Sequence, residues 1–230
     1  MTTQYEFARQ TSADIALGQN RVLRNTYMLL GLSMIPTVLG AMAGIQMGFS
    51  FFAGSPMMSF VLFLGIAWGF MWGIERTKNS GAGVLLLLGF TFFMGLMLSP
   101  LLRHALGFAN GGSLIAMAAG GTGAIFFALA GVAASTRRDF SRIGTFLFAG
   151  VILLLLASAA NIFLQIPALA LAVSAIAVVL FSAYVLYDIN RIVQGGEDNY
   201  ISATLAVYLD VFNIFVNLLQ LLMAFTGERD

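Results

Sequence analysis

The sequence predicts an all-α integral membrane protein, a bundle of seven transmembrane helices, and two observations carry most of that reading. Of its 230 residues, 60% are apolar and only 9% are charged, where an ordinary soluble domain is about one quarter charged. With 11 basic and 10 acidic side chains the chain cannot cover a water-facing surface, so most of its exterior faces hydrocarbon. The second observation is that seven apolar runs, each about 20 residues long as a bilayer crossing requires, can be marked off by polar, Gly or Pro punctuation.

The chain opens on a mixed polar segment, residues 1–24, with Glu6, Arg9, Asp14, Arg21 and Arg24. It lacks the short apolar core and small-residue cleavage site of a signal peptide and reads as a polar tail. Residues 25–230 form a single transmembrane domain. Its expected spans are Thr26 to Met47, Met57 to Ile74, Ala82 to Leu102, Ser113 to Ser135, Ile143 to Gln165, Ala168 to Tyr187 and Ala203 to Phe225. Residues 48–56 and 103–112 are connections rich in small and polar residues. Only Ile166 and Pro167 separate the fifth and sixth spans, yet about 45 apolar residues are too many for one crossing, so Pro167 marks a tight turn. The run Gly195-Gly196-Glu197-Asp198-Asn199 is a turn-forming loop before the last span.

Charge placement gives an orientation. Nine basic residues (Arg9, Arg21, Arg24, Arg76, Lys78, Arg137, Arg138, Arg142 and Arg191) fall on one side of the seven spans, and Arg103 and Arg229 on the other. Positively charged loops stay in the cytoplasm, so the N-terminus is expected there and the C-terminus outside. Small residues recur every fourth position at Gly40, Gly44 and Gly48 and at Gly65, Gly69 and Gly73. Such rows let helix backbones approach closely, and packing inside the bundle is preferred here over a dimer interface.

Two acids stand in or at the rim of the spans, Asp188 and Asp210. An intramembrane carboxylate costs roughly 2.5–3.5 kcal/mol even on lenient insertion scales, so each asks for a function. Asp188 lies near the cytoplasmic end of the sixth span, and Asp210 comes about seven residues, roughly 10 Å, into the seventh. Neighbouring helices would bring the two together. Asp210, Asn213, Asn217 and Gln220 fall within about 80° of one helical face, a polar stripe that must turn away from lipid and makes the last helix a central element. Tyr184, one turn before Asp188, with Tyr187 and Asn190 beside it, offers further polar groups. Two carboxylates in hydrogen-bonding contact in a low-dielectric site cannot both ionise cheaply and are expected to share a proton near neutral pH. Such a pair suits a pH-sensitive latch. Alternatively, its oxygens suit a hard cation such as calcium.

Several segments resemble the Bax inhibitor-1 (transmembrane Bax inhibitor motif) family. They are Leu186-Tyr187-Asp188-Ile189-Asn190, Tyr208-Leu209-Asp210-Val211-Phe212-Asn213-Ile214-Phe215, Gly95-Leu96-Met97-Leu98-Ser99-Pro100 and Ala119-Gly120-Gly121-Thr122-Gly123-Ala124-Ile125-Phe126-Phe127. Asn161-Ile162-Phe163-Leu164-Gln165-Ile166-Pro167 and Val22-Leu23-Arg24-Asn25-Thr26-Tyr27 are similar to its bacterial YccA-like branch. The resemblance implies a last helix wrapped by the other six and a pH-controlled calcium leak in a bacterial inner membrane. It matches Asp188 and Asp210 to the family's sensor pair. It also implies a latch arginine at the cytoplasmic end of the second span, where Thr77 stands opposite the expected position, Arg76 is the nearest candidate and Lys78 the second.

Other functions fit less well. The net charge of +1 leaves no basic surplus for nucleic acid. Zero cysteines remove disulfides and thiolate chemistry. The only lysine, Lys78, lies in a loop, away from any retinal Schiff base. The only histidine, His104, sits beside Arg103 at the outer end of the third span rather than by a nucleophile. No enzyme and no tightly bound cofactor is expected; calcium would be the transported ion, and the bilayer the constant partner. The alternative is a regulatory interaction protein, a substrate or modulator of a membrane-bound ATP-dependent protease engaged through the polar tail.

Overall fold

The computed structural model describes residues 2–49, 55–136 and 138–227, with side chains from residue 18 onward and none at 56. Seven helices follow in order: α1 Thr2–Gln46, α2 Pro56–Thr77, α3 Gly81–Leu106, α4 Gly111–Ser135, α5 Gly144–Leu164, α6 Pro167–Val193 and α7 Tyr200–Thr226. A single 3₁₀ turn, Ser141–Ile143, leads into α5. All seven contain a stretch long and apolar enough to cross a membrane. The protein is an integral membrane protein.

The expected tail is helical from Thr2 and runs without a break into the first span. Helix α6 continues past the expected Tyr187 to Val193, because nothing between the two breaks a helix; the Gly195-Gly196 pair does. The turn at Pro167 forms as read: Gln165 takes a left-handed conformation (φ 52°), Ile166 is extended, and Pro167 opens α6, where its missing N–H costs nothing. At the start of α7 the Asn199 side chain accepts from the backbone N–H groups of Ile201 and Ser202.

The helix ends lie on two faces, and contacts between loops fix which end belongs to which. Asn199 Nδ2 donates to the Lys78 carbonyl (3.1 Å) and to Asn79 Oδ1 (2.9 Å), tying the α6–α7 loop to the α2–α3 loop. Asn190 accepts from the Phe140 N–H and donates to the Arg138 carbonyl, tying the α4–α5 loop to the end of α6. A Cβ at Gly195 would lie 2.6 Å from Gln19 Nε2, which brings the same face to α1. This face carries Arg21, Arg24, Arg76, Lys78, Arg138, Arg142 and Arg191. On the opposite face Arg103 donates to the Phe49 carbonyl, and Asn110 to that of Thr226. Arg137 and the C-terminal Glu228, Arg229 and Asp230 lie outside the described residues, as do the side chains of Glu6, Arg9 and Asp14 and most of the 48–56 connection.

Helix α7 packs against α1, α2, α3, α4 and α6. The expectation that all six other helices wrap it needs one correction: α5 touches α6 and α2 but not α7 among the described residues. The reason is compositional. Helix α5 is almost uniformly apolar, Leu147 is its only buried residue, and hydrocarbon satisfies it as well as protein would. Tyr208 of α7, fully buried, anchors the centre: its hydroxyl meets Thr37 Oγ1 of α1 at 2.9 Å and lies 3.5 Å from the Thr91 carbonyl of α3.

The two glycine rows part company. A Cβ at Gly40 would collide with the Phe92 carbonyl, one at Gly44 with Ser99, and one at Gly95 with the Thr37 carbonyl, so α1 and α3 meet backbone to backbone. Gly48 lies beyond the helix, with φ +64° in the turn. A Cβ at Gly65 or Gly69 of α2, however, would meet nothing within 4 Å, which corrects the reading of that row as internal packing; only Gly73 approaches a neighbour, with Leu86 Cδ1 3.5 Å from such an atom. Gly95→Ala is expected to destabilise the protein by about 1–3 kcal/mol through overpacking. Gly69→Ala should leave stability unchanged or raise it by up to about 1 kcal/mol, the helix propensity gain. Thermal melting of the two variants in one detergent checks this.

Candidate functional site

The intramembrane carboxylates meet. Asp188 stands five residues before the end of α6, half-buried, and Asp210 stands ten residues into α7 with 4% of its surface exposed. The two are within hydrogen-bonding reach of each other. Both are acceptors when ionised, so a hydrogen bond between them requires a proton on one. One oxygen of Asp210, Oδ2, is buried with no hydrogen-bond partner among the described residues. Among the described residues no cation compensates it: the charged group acting on Asp210 is Asp188, while Asp188 also feels Arg191 and Glu197. Arg191 itself is drawn off into the loop, pairing with Glu197 at 3.3 Å and donating to the Gly196 carbonyl.

Tyr184 lies near both carboxylates, stacked on Phe181 and edge-on to Tyr187. Tyr187 turns toward Gly144 at the start of α5. Asn190, expected among the donors for the pair, instead spends its amide on the α4–α5 loop.

The polar stripe of α7 continues from the pair toward the opposite face. Asn213 Nδ2 donates to the Leu209 carbonyl and Asn217 Nδ2 to the Asn213 carbonyl, both at 2.8 Å and one turn back on their own helix. Each bond uses one of the two amide N–H groups, and among the described residues the side-chain oxygen stays an uncommitted acceptor. Gln220 Oε1 accepts from Ser174 Oγ of α6 at 3.2 Å. From Asp210 to Gln220 the stripe covers about 15 Å of helix, and α6 lies against it at both ends. Among the described residues no cluster of three or more His, Asp or Glu side chains forms. Calcium takes six to eight oxygens, so the two carboxylates, with four oxygens at most, would not complete its shell.

Arg76 does not join the pair. Its guanidinium lies 5.2 Å from the ring centroid of Trp72 on the exposed face of α2, a cation–π contact suited to the membrane interface. Lys78 bonds to Glu75, and this contact raises the ammonium above the usual lysine range. Sequence reasoning missed what α2 does bring to α7: Glu75 Oε2 accepts from Ser202 Oγ at 2.8 Å. Ending the second span at Ile74 hid it, since Glu75 belongs to the last turn of α2.

Comparison with known proteins agrees with this architecture. Residues 19–227 match the model of the family described as Inhibitor of apoptosis-promoting Bax1. The chain is 39% identical over 206 residues to the Escherichia coli protein named Modulator of FtsH protease YccA, covering 90% of this chain and 91% of that one. It is 40% identical over 214 residues to an uncharacterized protein of Neisseria meningitidis, covering 92% and 94%. A Vibrio cholerae protein named as an uncharacterized membrane protein is 36% identical over 216 residues, covering 94% and 95%.

If one proton bridges the carboxylates, infrared spectra of the protein should contain a protonated-carboxyl band that moves on hydrogen–deuterium exchange. Asp210→Asn should abolish it and Asp188→Asn should shift it by removing the bridge, whereas Glu75→Gln should leave it in place.

Proposed function

The chain belongs to the Bax inhibitor family, and we propose that within it the protein acts as a regulatory partner of a membrane-bound ATP-dependent protease. What supports this reading most is the Escherichia coli relative, named a modulator of FtsH protease and similar over nine tenths of both chains. The shape of α1 supplies a means. Forty-five helical residues are about 68 Å long, while a crossing needs about 30 Å. About half of the helix therefore extends past the hydrocarbon, on the face that carries seven of the described basic residues. By the positive-inside rule that face is cytoplasmic, which puts the helical extension where a cytoplasmic protease domain can meet it, in a bacterial inner membrane. Removing residues 2–17 is expected to reduce co-purification of the protease at least tenfold while the protein still reaches the membrane. Undiminished co-purification would show that the extension is not the handle.

A second reading, a proton-sensitive calcium leak, is favoured by the buried, uncompensated Asp210 and the polar stripe below it. An unpartnered carboxylate oxygen in a membrane interior is costly, and a passing cation would relieve that cost. Uncommitted oxygens of Asn213 and Asn217 continue the same acceptor line. On this reading calcium flux into liposomes depends on pH in the wild type. Asp210→Asn should remove the pH dependence, and an unaltered pH response would sink the leak. Truncating α1 should leave flux unchanged, so the two activities are separable in one set of samples.

A further inference from the structure

Helices α1 and α4 make no close backbone approach among the described residues, although both pack on α7; they meet through side chains, Tyr27 standing edge-on to Phe126 with ring centroids 6.0 Å apart. Between them an apolar groove runs over α7, in two adjoining lobes of about 550 and 510 Å³ that share Met34, Gly123 and Val211 as walls. Each lobe is in the size range of small-ligand sites. The lobe nearer the basic face is bounded by Tyr27, Gly31, Phe126, Ala130 and Gly131. At Gly31, Gly123 and Gly131 a side chain would meet nothing within 4 Å. The groove is therefore open toward the bilayer rather than filled by the bundle.

The basic end of this lobe has the charge that a lipid headgroup needs. Arg24 precedes Gly31 by seven residues, two turns along the same side of α1. Arg138 lies in the loop three residues past the end of α4, whose last turn carries the wall residue Ala134, and its carbonyl is held by Asn190. Both are exposed, and among the described residues neither makes an ion pair. The adjacent acid, Asp139, is turned instead to Ser141, accepting from both its N–H and its hydroxyl. Arg21 adds a third cation at the same end of α1.

We propose that this groove is a binding site for an anionic phospholipid, with an acyl chain lying between α1 and α4 against α7 and the phosphate held by Arg24 and Arg138. Basic pockets between transmembrane helices at the cytoplasmic surface suit such headgroups. Neutral lipid lacks the net charge that the two arginines complement. The site lies on the side of α7 opposite the carboxylates and does not depend on the proposed protease or leak activity.

The test uses the full-length protein, purified in detergent and supplied with phosphatidylglycerol or phosphatidylcholine, with retained lipid counted by native mass spectrometry. Wild type should keep one phosphatidylglycerol per chain in preference to phosphatidylcholine. Arg24→Gln with Arg138→Gln should weaken retention about 25-fold, roughly a factor of five per arginine. Gly131→Leu should block it by filling the groove, and Arg142→Gln, on the same face but at the start of α5, should not affect it. A phosphatidylglycerol with a photoreactive acyl chain should label peptides containing Tyr27 or Phe126 in wild type, a readout independent of how the variants fold. Equal retention of the two lipids, labelling confined to other helices, or a dimer that Gly131→Leu dissociates would overturn the proposal. Competition by glycerol phosphate as effective as by intact lipid would overturn the acyl-chain part of it.

Discussion

Hydrocarbon offers no hydrogen bonds, and α7 carries more polar side chains than any lipid-facing helix can bear. The rest of the architecture follows from hiding that helix. Its stripe of Asp210, Asn213, Asn217 and Gln220 is turned toward α6, which supplies Asp188 and Ser174. Its opposite side is anchored through Tyr208 to Thr37 and Thr91. Helices with no polar stripe to hide are free to stand outside, and α5 does so.

That constraint explains why the spans and the carboxylate pair are so legible in the sequence. An acid inside an apolar run is visible because it is costly, and a stripe at helical spacing says which side of the helix must be covered. Partners are less legible. The position of Arg76 along α2 is plain from sequence, yet its direction is not, and a neighbouring Trp72 holds it on the outside. Asn190 resembles a donor for Asp188 because the two are near in sequence, but a loop with unsatisfied backbone groups claims it first. Glycine rows have the same limit. Spacing identifies a surface smooth enough for close approach, but only the fold tells whether a helix lies against it, as α3 does at Gly40 and Gly44, or whether it stays open, as at Gly65 and Gly69.

The basic face is built largely from loop contacts rather than ion pairs. Asn199 caps α7 through its oxygen while its amide nitrogen bridges to the α2–α3 loop. Glu75 receives Ser202 from α7 and Lys78 from its own turn. These contacts fix where α7 begins and thereby the depth of Asp210. Exposed ion pairs are worth at most about 1 kcal/mol each, so the register of α7 rests on the cap and on the packing below it more than on charge.

The two sides of α7 place different demands on the same rigid rod. Asp210 and Val211 are adjacent in sequence, yet one belongs to the carboxylate pair and the other to the groove wall. A rotation that withdrew Asp210 from Asp188 would have to carry Val211 and Phe212 across the groove, and would strain the Tyr208 hydroxyl against Thr37. Helix α6 faces a weaker restraint near the pair. Asp188 is only half-buried, and the helix ends five residues later at a glycine turn. A change in the charge of the pair is therefore absorbed more cheaply by the end of α6 than by α7. That end also carries Asn190 and Arg191, so its displacement would be felt by the α4–α5 loop and by the Arg191–Glu197 pair on the basic face. The fold thus connects the carboxylate pair in the membrane interior to the basic face, through the more yielding of the two helices.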